Sequence, residues 1–428
     1  MLTQGESFVD ERQTSFYYRW WFYFTVLYFI VDYMRPQNVF SWLGYLRPGA
    51  VTITILSIFV VFSRRIYVSD TRQTRLIWAF IILLFIHVPF AVNNYYALKA
   101  AQNMLKFMPF ILSVVIVVST RERLAQLIVM MVAVMAYMSV WSIRHGGSGV
   151  GGWFGDENDL ALYINAMIPF TLHLYYHSRR LVPKLLYLGI FFLGVWAVVV
   201  SFSRGGLVGL VGMVAAGWLL SRHKIRIFFL IIMATFAFLS YTSQEYREEM
   251  STITDTQSGT IHGRIITWEA AWDMFVDNPL GVGGNNFPIR FEEYQSKEFT
   301  RGMWGRVAHS LWFTLIPELG IPGIIIYFML LSVNLKELLV LVRLRYENDP
   351  DLEYIHTLSL AFLASAAGFF VSATGLSVLY YPHFWYLTAM FVATRRVAQA
   401  RLGALGGHVE EAAPSSLVCG YSGRTSAT

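Results

Sequence analysis

The sequence predicts an all-α, polytopic membrane protein with about 12 transmembrane helices and one long loop that bears short helices. The chain has 428 residues, of which 56% are hydrophobic and 14% charged, whereas a soluble protein carries about 25% charged residues. Apolar runs of about 17 to 22 residues recur along it, and each can cross a hydrocarbon core about 30 Å thick as a helix. Because these runs are continuous rather than alternating, they argue against a membrane β-barrel.

The apolar runs give the order of the spans. The first follows a mixed-charge start and has no small-residue cleavage site, so we expect it to stay as a span rather than be removed as a signal peptide. The second is short, and we expect it to tilt or to be re-entrant. The predicted spans are residues 17–33, 50–62, 76–91, 98–118, 124–142, 159–176, 185–201, 205–221, 225–242, 322–341, 355–374 and 381–397.

The basic residues predict the orientation. The formal net charge is +6, but Lys and Arg cluster in alternate connections between spans, which encodes membrane topology rather than binding of nucleic acid. Basic residues between spans usually face the cytoplasm, and if these clusters do so, both termini also lie in the cytoplasm. The single cysteine, Cys419, permits no intramolecular disulfide.

The spans divide the chain into four predicted regions. Residues 1–242 form an N-terminal transmembrane bundle of about nine spans, and residues 243–321 form an outer loop with interfacial and half-helices. Residues 322–397 hold the C-terminal transmembrane helices, and residues 398–428 form a disordered cytoplasmic tail. A loop this long is usually functional, so we expect the chemistry there.

Two short helices are predicted in the outer loop. Apolar residues at helical spacing predict an interfacial amphipathic helix that Asn278-Pro279 ends before a glycine turn at 281–286. Residues 309–320 are apolar but too short to span, which predicts a half-helix in the outer leaflet. The apolar residues of the first helix are Ile265, Trp268, Trp272 and Phe275.

Three residues on the outer side are the main candidates for chemistry. Arg204 is either an arginine that reaches lipid head groups or, with its planar fork and small neighbours, a phosphate ligand. Arg264 is expected at the start of the loop helix, where it is either a solvated charge or part of an anion site at a helix N-terminus. His309 is either a structural hydrogen-bonding residue or a general base of near-neutral pKa.

Other titratable residues are weaker candidates. Three acidic residues at an expected helix start more often cap the helix than bind a metal. Four scattered histidines imply no metal cluster, so we expect no metal and no cofactor. Two ionisable residues at membrane depth have no partner that the sequence reveals. In this order they are Asp156, Glu157 and Asp159; His87, His173, His177 and His383; and Lys106 and Glu318.

Three motifs, taken in order, resemble the O-antigen ligase and O-antigen polymerase superfamily. The resemblance covers roughly residues 200 to 340, and the earlier spans are similar only in hydrophobicity and outer-face aromatic residues. The motifs are Ser203-Arg204-Gly205-Gly206; Gly263-Arg264 with Trp268 and Asn278-Pro279-Leu280-Gly281-Val282-Gly283; and His309-Ser310 with Glu318-Leu319-Gly320-Ile321-Pro322-Gly323.

The resemblance implies a metal-independent glycosyltransferase of the bacterial inner membrane that uses an undecaprenyl-diphosphate-linked oligosaccharide on the periplasmic face. Arg204 and Arg264 would bind the diphosphate, and His309 would deprotonate the acceptor. One base without a carboxylate nucleophile favours a single displacement with inversion. The expected supporting residues are Trp268, Ser310 and Glu318.

The resemblance leaves the acceptor open. A polymerase would extend a second lipid-linked repeat, as in O-antigen or exopolysaccharide synthesis, and this is our first expectation. A ligase would use lipid A core or a protein, and a separate chain-length regulator could assist either activity. Two other classes remain: a lipid-linked oligosaccharide flippase, which should line its spans with more charges, and a non-catalytic assembly scaffold, which would tolerate loss of His309.

Overall fold

The protein is mainly helical in the part that the structure describes. A computed structural model describes residues 11–221, 224–225, 259–295, 305–344 and 349–405. Within these ranges, pairing of extended backbone is confined to one isolated bridge between Gly151 and Phe154, which confirms the predicted all-α fold. The helices are α1 (Glu11–Met34), α2 (Pro36–Val39), α3 (Leu43–Leu46), α4 (Pro48–Phe62), α5 (Arg72–His87), α6 (Asn94–Leu105), α7 (Met108–Val117), α8 (Arg121–Arg144), α9 (Glu157–His177), α10 (Leu181–Val200), α11 (Arg204–Leu220), α12 (Gly259–Asp277), α13 (Phe287–Tyr294), α14 (Leu311–Arg343), α15 (Pro350–Ala373) and α16 (Pro382–Ala404).

The helices support a multi-pass membrane protein. Among the described residues, seven segments are long and apolar enough to cross a membrane, and α11 is a shorter apolar helix. Helices α1, α9 and α16 occupy three further predicted spans. The second span begins at Leu43, earlier than predicted, and the predicted span 225–242 lies outside the described residues apart from Ile225. The seven segments are Leu43–Phe62, Arg72–Phe90, Asn94–Val117, Arg121–Arg144, Leu181–Val200, Leu311–Arg343 and Pro350–Ala373.

Helix α9 lies at the centre of the bundle, packed against α8, α10, α11 and α15. The Asn165 side chain donates from Nδ2 to the Gly206 carbonyl of α11 (2.7 Å). A Cβ on Gly206 would stand 2.5 Å from the Cβ of Ala161 in α9. The glycine therefore lets the first turn of α11 approach α9 closely, which sets the position of the neighbouring Arg204.

Helix α14 is broken at Gly320, whose φ of 58° and ψ of −160° are not helical. The loop that follows α12 fills the break, and we call residues 278–287 together with residues 317–321 the clasp. Backbone hydrogen bonds join the two segments of the clasp. The backbone groups at the break in α14 therefore have partners within the protein, as expected for a half-helix. The hydrogen bonds run from Val282 N–H to the Pro317 carbonyl (2.9 Å), from Gly283 N–H to the Glu318 carbonyl (2.8 Å) and from Ile321 N–H to the Pro279 carbonyl (2.8 Å).

A small hydrophobic core, separate from that of the bundle, joins α12 and α13 to the chain before α14. The predicted amphipathic helix is present as α12 and ends before Asn278. Its buried face differs from the prediction, because Trp272 remains 51% exposed while small residues pack inward. The small alanine side chains let α12 and α13 approach closely. The buried members of this core are Ala270, Ala271, Met274, Val282, Phe287, Phe291 and Ala308.

The connections between helices form two groups. Connections assigned to the outer side touch one another, and connections with basic clusters meet at the other ends of the same helices. The outer contacts are Asn38 Nδ2 to the Val150 carbonyl (2.6 Å), Asn93 N–H to Asn286 Oδ1 (2.8 Å) and Ser203 Oγ to Asn158 Oδ1 (2.7 Å). The contacts at the opposite ends of the helices are the ion pairs Arg121–Asp351 (3.3 Å) and Arg401–Asp349 (2.9 Å). Which end faces the cytoplasm stays a prediction.

The last helix extends past one of the predicted regional boundaries. Helix α16 continues to Ala404, so the first residues of the predicted disordered tail 398–428 are helical, because their side chains continue the packing of α16. Residues 406–428 and the first part of the predicted loop, 243–258, lie outside the described residues. The predicted boundary between the outer loop and the C-terminal helices, at residue 321, lies just after the break at Gly320.

We predict that Gly281→Ala destabilises the protein by about 2 to 4 kcal/mol. Gly281 has a φ of 98°, and a Cβ there would stand 2.6 Å from the Glu318 carbonyl oxygen. Thermal unfolding in detergent should show a lower midpoint. The control is Gly189→Ala on α10, where no atom lies within 4 Å of an added Cβ. Equal midpoints for the two variants would contradict this account of the clasp.

Candidate active site

Arg204 is the first residue of α11, held at the helix start by Ser203. The Ser203 hydroxyl accepts a hydrogen bond from Gly206 N–H (2.8 Å) and donates to Asn158 Oδ1 near the start of α9 (2.7 Å). This N-cap satisfies a backbone donor that the helix leaves free. The motif Ser203-Arg204-Gly205-Gly206 therefore fixes the half-buried Arg204 beside the N-terminus of α9.

Arg264 lies beyond the first turn of α12, which starts at Gly259. The predicted placement at the helix start is wrong, so the helix dipole acts on it only weakly. Desolvation and the charges of Arg306 and Arg204 lower the pKa of Arg264, so both arginines lie within electrostatic range of Arg264. A Cβ on Gly375 would stand 3.2 Å from Nη1 of Arg264, and the glycine leaves room for this guanidinium.

His309 lies immediately before α14, with a φ of 46° in the left-handed region. Such a conformation costs free energy and is often found at functional sites. Ser310 caps α14 by accepting a hydrogen bond from Phe313 N–H (3.4 Å). Trp268 donates from Nε1 to the Ala308 carbonyl (3.0 Å) and stacks on Phe313 at 5.1 Å. Trp268 and Ser310 thus hold the backbone on both sides of His309.

The surroundings of His309 favour a neutral imidazole. Desolvation lowers its pKa from the ordinary value, and the nearby positive charges of Arg264 and Arg306 lower it further. Asp156 opposes them and raises the pKa. A histidine with a lowered pKa is unprotonated at neutral pH and can accept a proton.

Asp156 belongs to this site as well as to a helix cap. Its Oδ1 accepts hydrogen bonds from Asn158 N–H and Asp159 N–H, each at 2.9 Å. It caps α9 as predicted for this acidic group. Asp159 is buried and accepts a hydrogen bond from the Tyr381 hydroxyl (3.1 Å). The cap brings one negative charge to the edge of the arginine cluster.

Arg306 was not predicted as a site residue from the sequence. Its charge acts on both Arg264 and His309, and its guanidinium lies against Gly263. The only signal was its place three residues before His309, and spacing in a loop does not reveal where a side chain points.

The candidate residues fall in one region of the chain that resembles known proteins. Residues 189–328 match the O-antigen ligase family. This confirms the predicted resemblance for a region that contains Arg204, Arg264 and His309. It supports a membrane glycan-processing enzyme of the ligase or polymerase type. A comparison with curated proteins finds no match for the chain.

Glu318, within the ligase-family region, has partners that the sequence did not reveal. The carboxylate is buried and accepts hydrogen bonds from the Tyr380 hydroxyl (2.6 Å), Asn285 N–H (2.8 Å) and Phe287 N–H (3.2 Å). It joins both parts of the clasp to the connection before α16. Its place indicates support for the segment that carries His309, nine residues earlier in the chain.

The remaining candidates lie away from the arginine cluster. His173 and His177 are not isolated, since both bond the Thr357 hydroxyl (3.0 and 2.7 Å) at the far end of α9. Lys106 donates to Asn103 (3.1 Å) beside a groove of about 450 Å³ between α4, α5 and the α6–α7 kink. Within the described ranges, no group of three or more His, Cys, Asp or Glu side chains could hold a metal ion.

We predict that Glu318→Gln destabilises the ligase-family region by about 1 to 3 kcal/mol, because the glutamine amide turns a donor toward groups that also donate. Thermal unfolding in detergent measures this cost. Glu293→Gln is the matched control, since Glu293 is 51% exposed and pairs with Arg290 at 2.7 Å; its loss should cost at most about 1 kcal/mol. Similar costs for both variants would contradict a structural role for the Glu318 carboxylate.

Proposed function

We propose that the protein is a glycosyltransferase that moves a glycan from an undecaprenyl-diphosphate carrier to an acceptor hydroxyl on the periplasmic face of the inner membrane. The observation that carries the proposal is the convergence of Arg204, Arg264 and His309. They come from three separate segments of the ligase-family region, yet the charge of Arg204 acts on Arg264 and the charge of Arg264 acts on His309. Two cations beside one neutral base suit displacement of an anionic leaving group.

In the proposed reaction, His309 removes the proton from the acceptor hydroxyl as its oxygen attacks the anomeric carbon. The bond from that carbon to the diphosphate oxygen breaks, and the electron pair leaves with the polyprenyl diphosphate. Arg204 and Arg264 stabilise the charge that develops on this leaving group, with no metal required. Preorganised cations of this kind can supply several kcal/mol in a site partly screened from water. One displacement predicts inversion at the anomeric carbon.

The acceptor decides between the two activities of the family. We propose polymerisation, in which the acceptor is a second lipid-linked repeat, with transfer to lipid A core or to a protein as the alternative. The arginine–histidine site serves both reactions equally, because both break the same bond to diphosphate. A separate chain-length regulator would act outside this site.

We predict that His309→Ala lowers transfer about 10²- to 10⁴-fold, the usual effect of a general base. The purified protein is incubated in detergent with an undecaprenyl-diphosphate-linked oligosaccharide, and products are resolved on a gel. A ladder of repeats should form with wild-type protein and be lost in the variant. NMR of the product should show inversion, and retention would overturn the single displacement. His262→Ala, an exposed histidine on α12, should leave the ladder unchanged.

The same assay separates the other classes. Without a ladder, lipid A core or an acceptor protein is added, and product formed only then identifies a ligase. If the protein were a scaffold, cells with His309→Ala would assemble as much glycan as cells with the wild-type protein. If no product forms with any acceptor, and the lipid-linked oligosaccharide moves between the leaflets of vesicles, the protein is a transporter rather than an enzyme.

We predict a pH profile set by His309. The neutral imidazole is active, so kcat/KM should fall as the pH drops through the pKa of His309, which lies below its ordinary value. Asp156→Asn removes the charge that raises this pKa while keeping a good helix cap, so the acid limb should move to lower pH. Asp273→Asn, at an exposed position of α12, should leave it in place. A shift to higher pH in Asp156→Asn would contradict the assignment.

A further inference from the structure

Arg306 lies against a glycine that leaves space for its guanidinium. A Cβ on Gly263 would stand 2.7 Å from Nη2, 2.9 Å from Nη1 and 3.1 Å from Cζ of Arg306. Gly263 is buried in α12 and has ordinary helical backbone, so its missing side chain is not required by the helix itself. Alanine would favour the helix by about 1 kcal/mol. The glycine is therefore explained by the space that the Arg306 guanidinium occupies and not by the conformation of α12.

Arg306 also completes a cluster of like charges. Its charge lowers the pKa of Arg264 and of His309, and desolvation lowers its own pKa. Bringing half-buried positive charges together is unfavourable, and a polyanion among them relieves both the repulsion and the desolvation. The arrangement is therefore suited to a ligand that carries more than one negative charge.

We infer that Arg306 is a third ligand of the carrier diphosphate and that Gly263 preserves the space its guanidinium needs. The inference rests on the proposed function. Two guanidinium forks can bind the non-bridging oxygens of the diphosphate, and a third fork can meet the oxygen that gains charge when the sugar leaves. Because the charge of Arg306 acts on His309, its guanidinium lies near enough to the base to bind the leaving group beside it.

The test measures binding of inorganic pyrophosphate to the full-length protein in nanodiscs by calorimetry at pH 8. At this pH His309 is neutral in all variants, so an effect that acts only through its protonation is absent. Arg306→Ala should weaken binding about 10- to 100-fold, as expected for a lost charge-assisted hydrogen bond. Arg306→Lys should weaken it less, and it provides a folded comparison if the alanine variant is unstable.

A double-mutant cycle tests Gly263. Gly263→Ala should weaken pyrophosphate binding by about tenfold alone and should have no further effect in the Arg306→Ala background, because its methyl group acts only by displacing this guanidinium. Lys99→Ala removes an exposed cation of α6 and controls for a general loss of positive charge. An equal loss from Gly263→Ala in both backgrounds would overturn the role assigned to the glycine.

The outcomes distinguish this inference from the proposed function. Arg204→Ala and Arg264→Ala serve as references for the diphosphate site. If they weaken binding while Arg306→Ala and Arg306→Lys behave like Lys99→Ala, the third ligand is disproved and the proposed function stands. If none of the arginine variants differs from Lys99→Ala, the diphosphate site itself is disproved. Losses in all three arginine variants support both.

Discussion

The structure of the ligase-family region depends on one constraint: a backbone that leaves the helix at membrane depth must find its hydrogen bonds within the protein. Helix α14 breaks at Gly320, and the loop after α12 supplies the missing partners through the clasp. The Glu318 carboxylate adds two backbone N–H groups and the Tyr380 hydroxyl. Because α12 ends where the clasp begins, this one arrangement also sets the position of Arg264 relative to the segment that carries His309.

The candidate site combines charges that repel one another with a base kept neutral by the same charges. Arg264 lies near Arg204 and Arg306, and desolvation adds to the cost of this grouping. The same two effects lower the pKa of His309, so the imidazole is ready to accept a proton. A bound diphosphate would remove the repulsion and leave the base beside the leaving group. The unfavourable electrostatics of the site and its proposed chemistry therefore have one cause.

Small residues decide how closely the elements of this site approach. Gly206 lets α11 pack on α9, Gly375 leaves room for Arg264, and Gly263 leaves room for Arg306. In each case a Cβ would meet a specific neighbour rather than open space. The glycines of the motifs therefore act on the distances between the candidate side chains as well as on turns, where Gly281 and Gly320 need a positive φ.

The sequence by itself determined the helical membrane fold, the end of α12 at Asn278, the half-helix before Gly320 and the cap at Asp156, because hydrophobic length, proline, glycine and capping residues act locally. It also selected Arg204, Arg264 and His309, through short motifs. Only the tertiary structure decided which face of α12 is buried, what binds Glu318, and that Arg306 joins the cluster. These depend on contacts between residues far apart in the chain, and such contacts leave no periodic pattern in the sequence. The position of Arg264 inside α12 was mispredicted because the helix begins earlier than its apolar residues indicate.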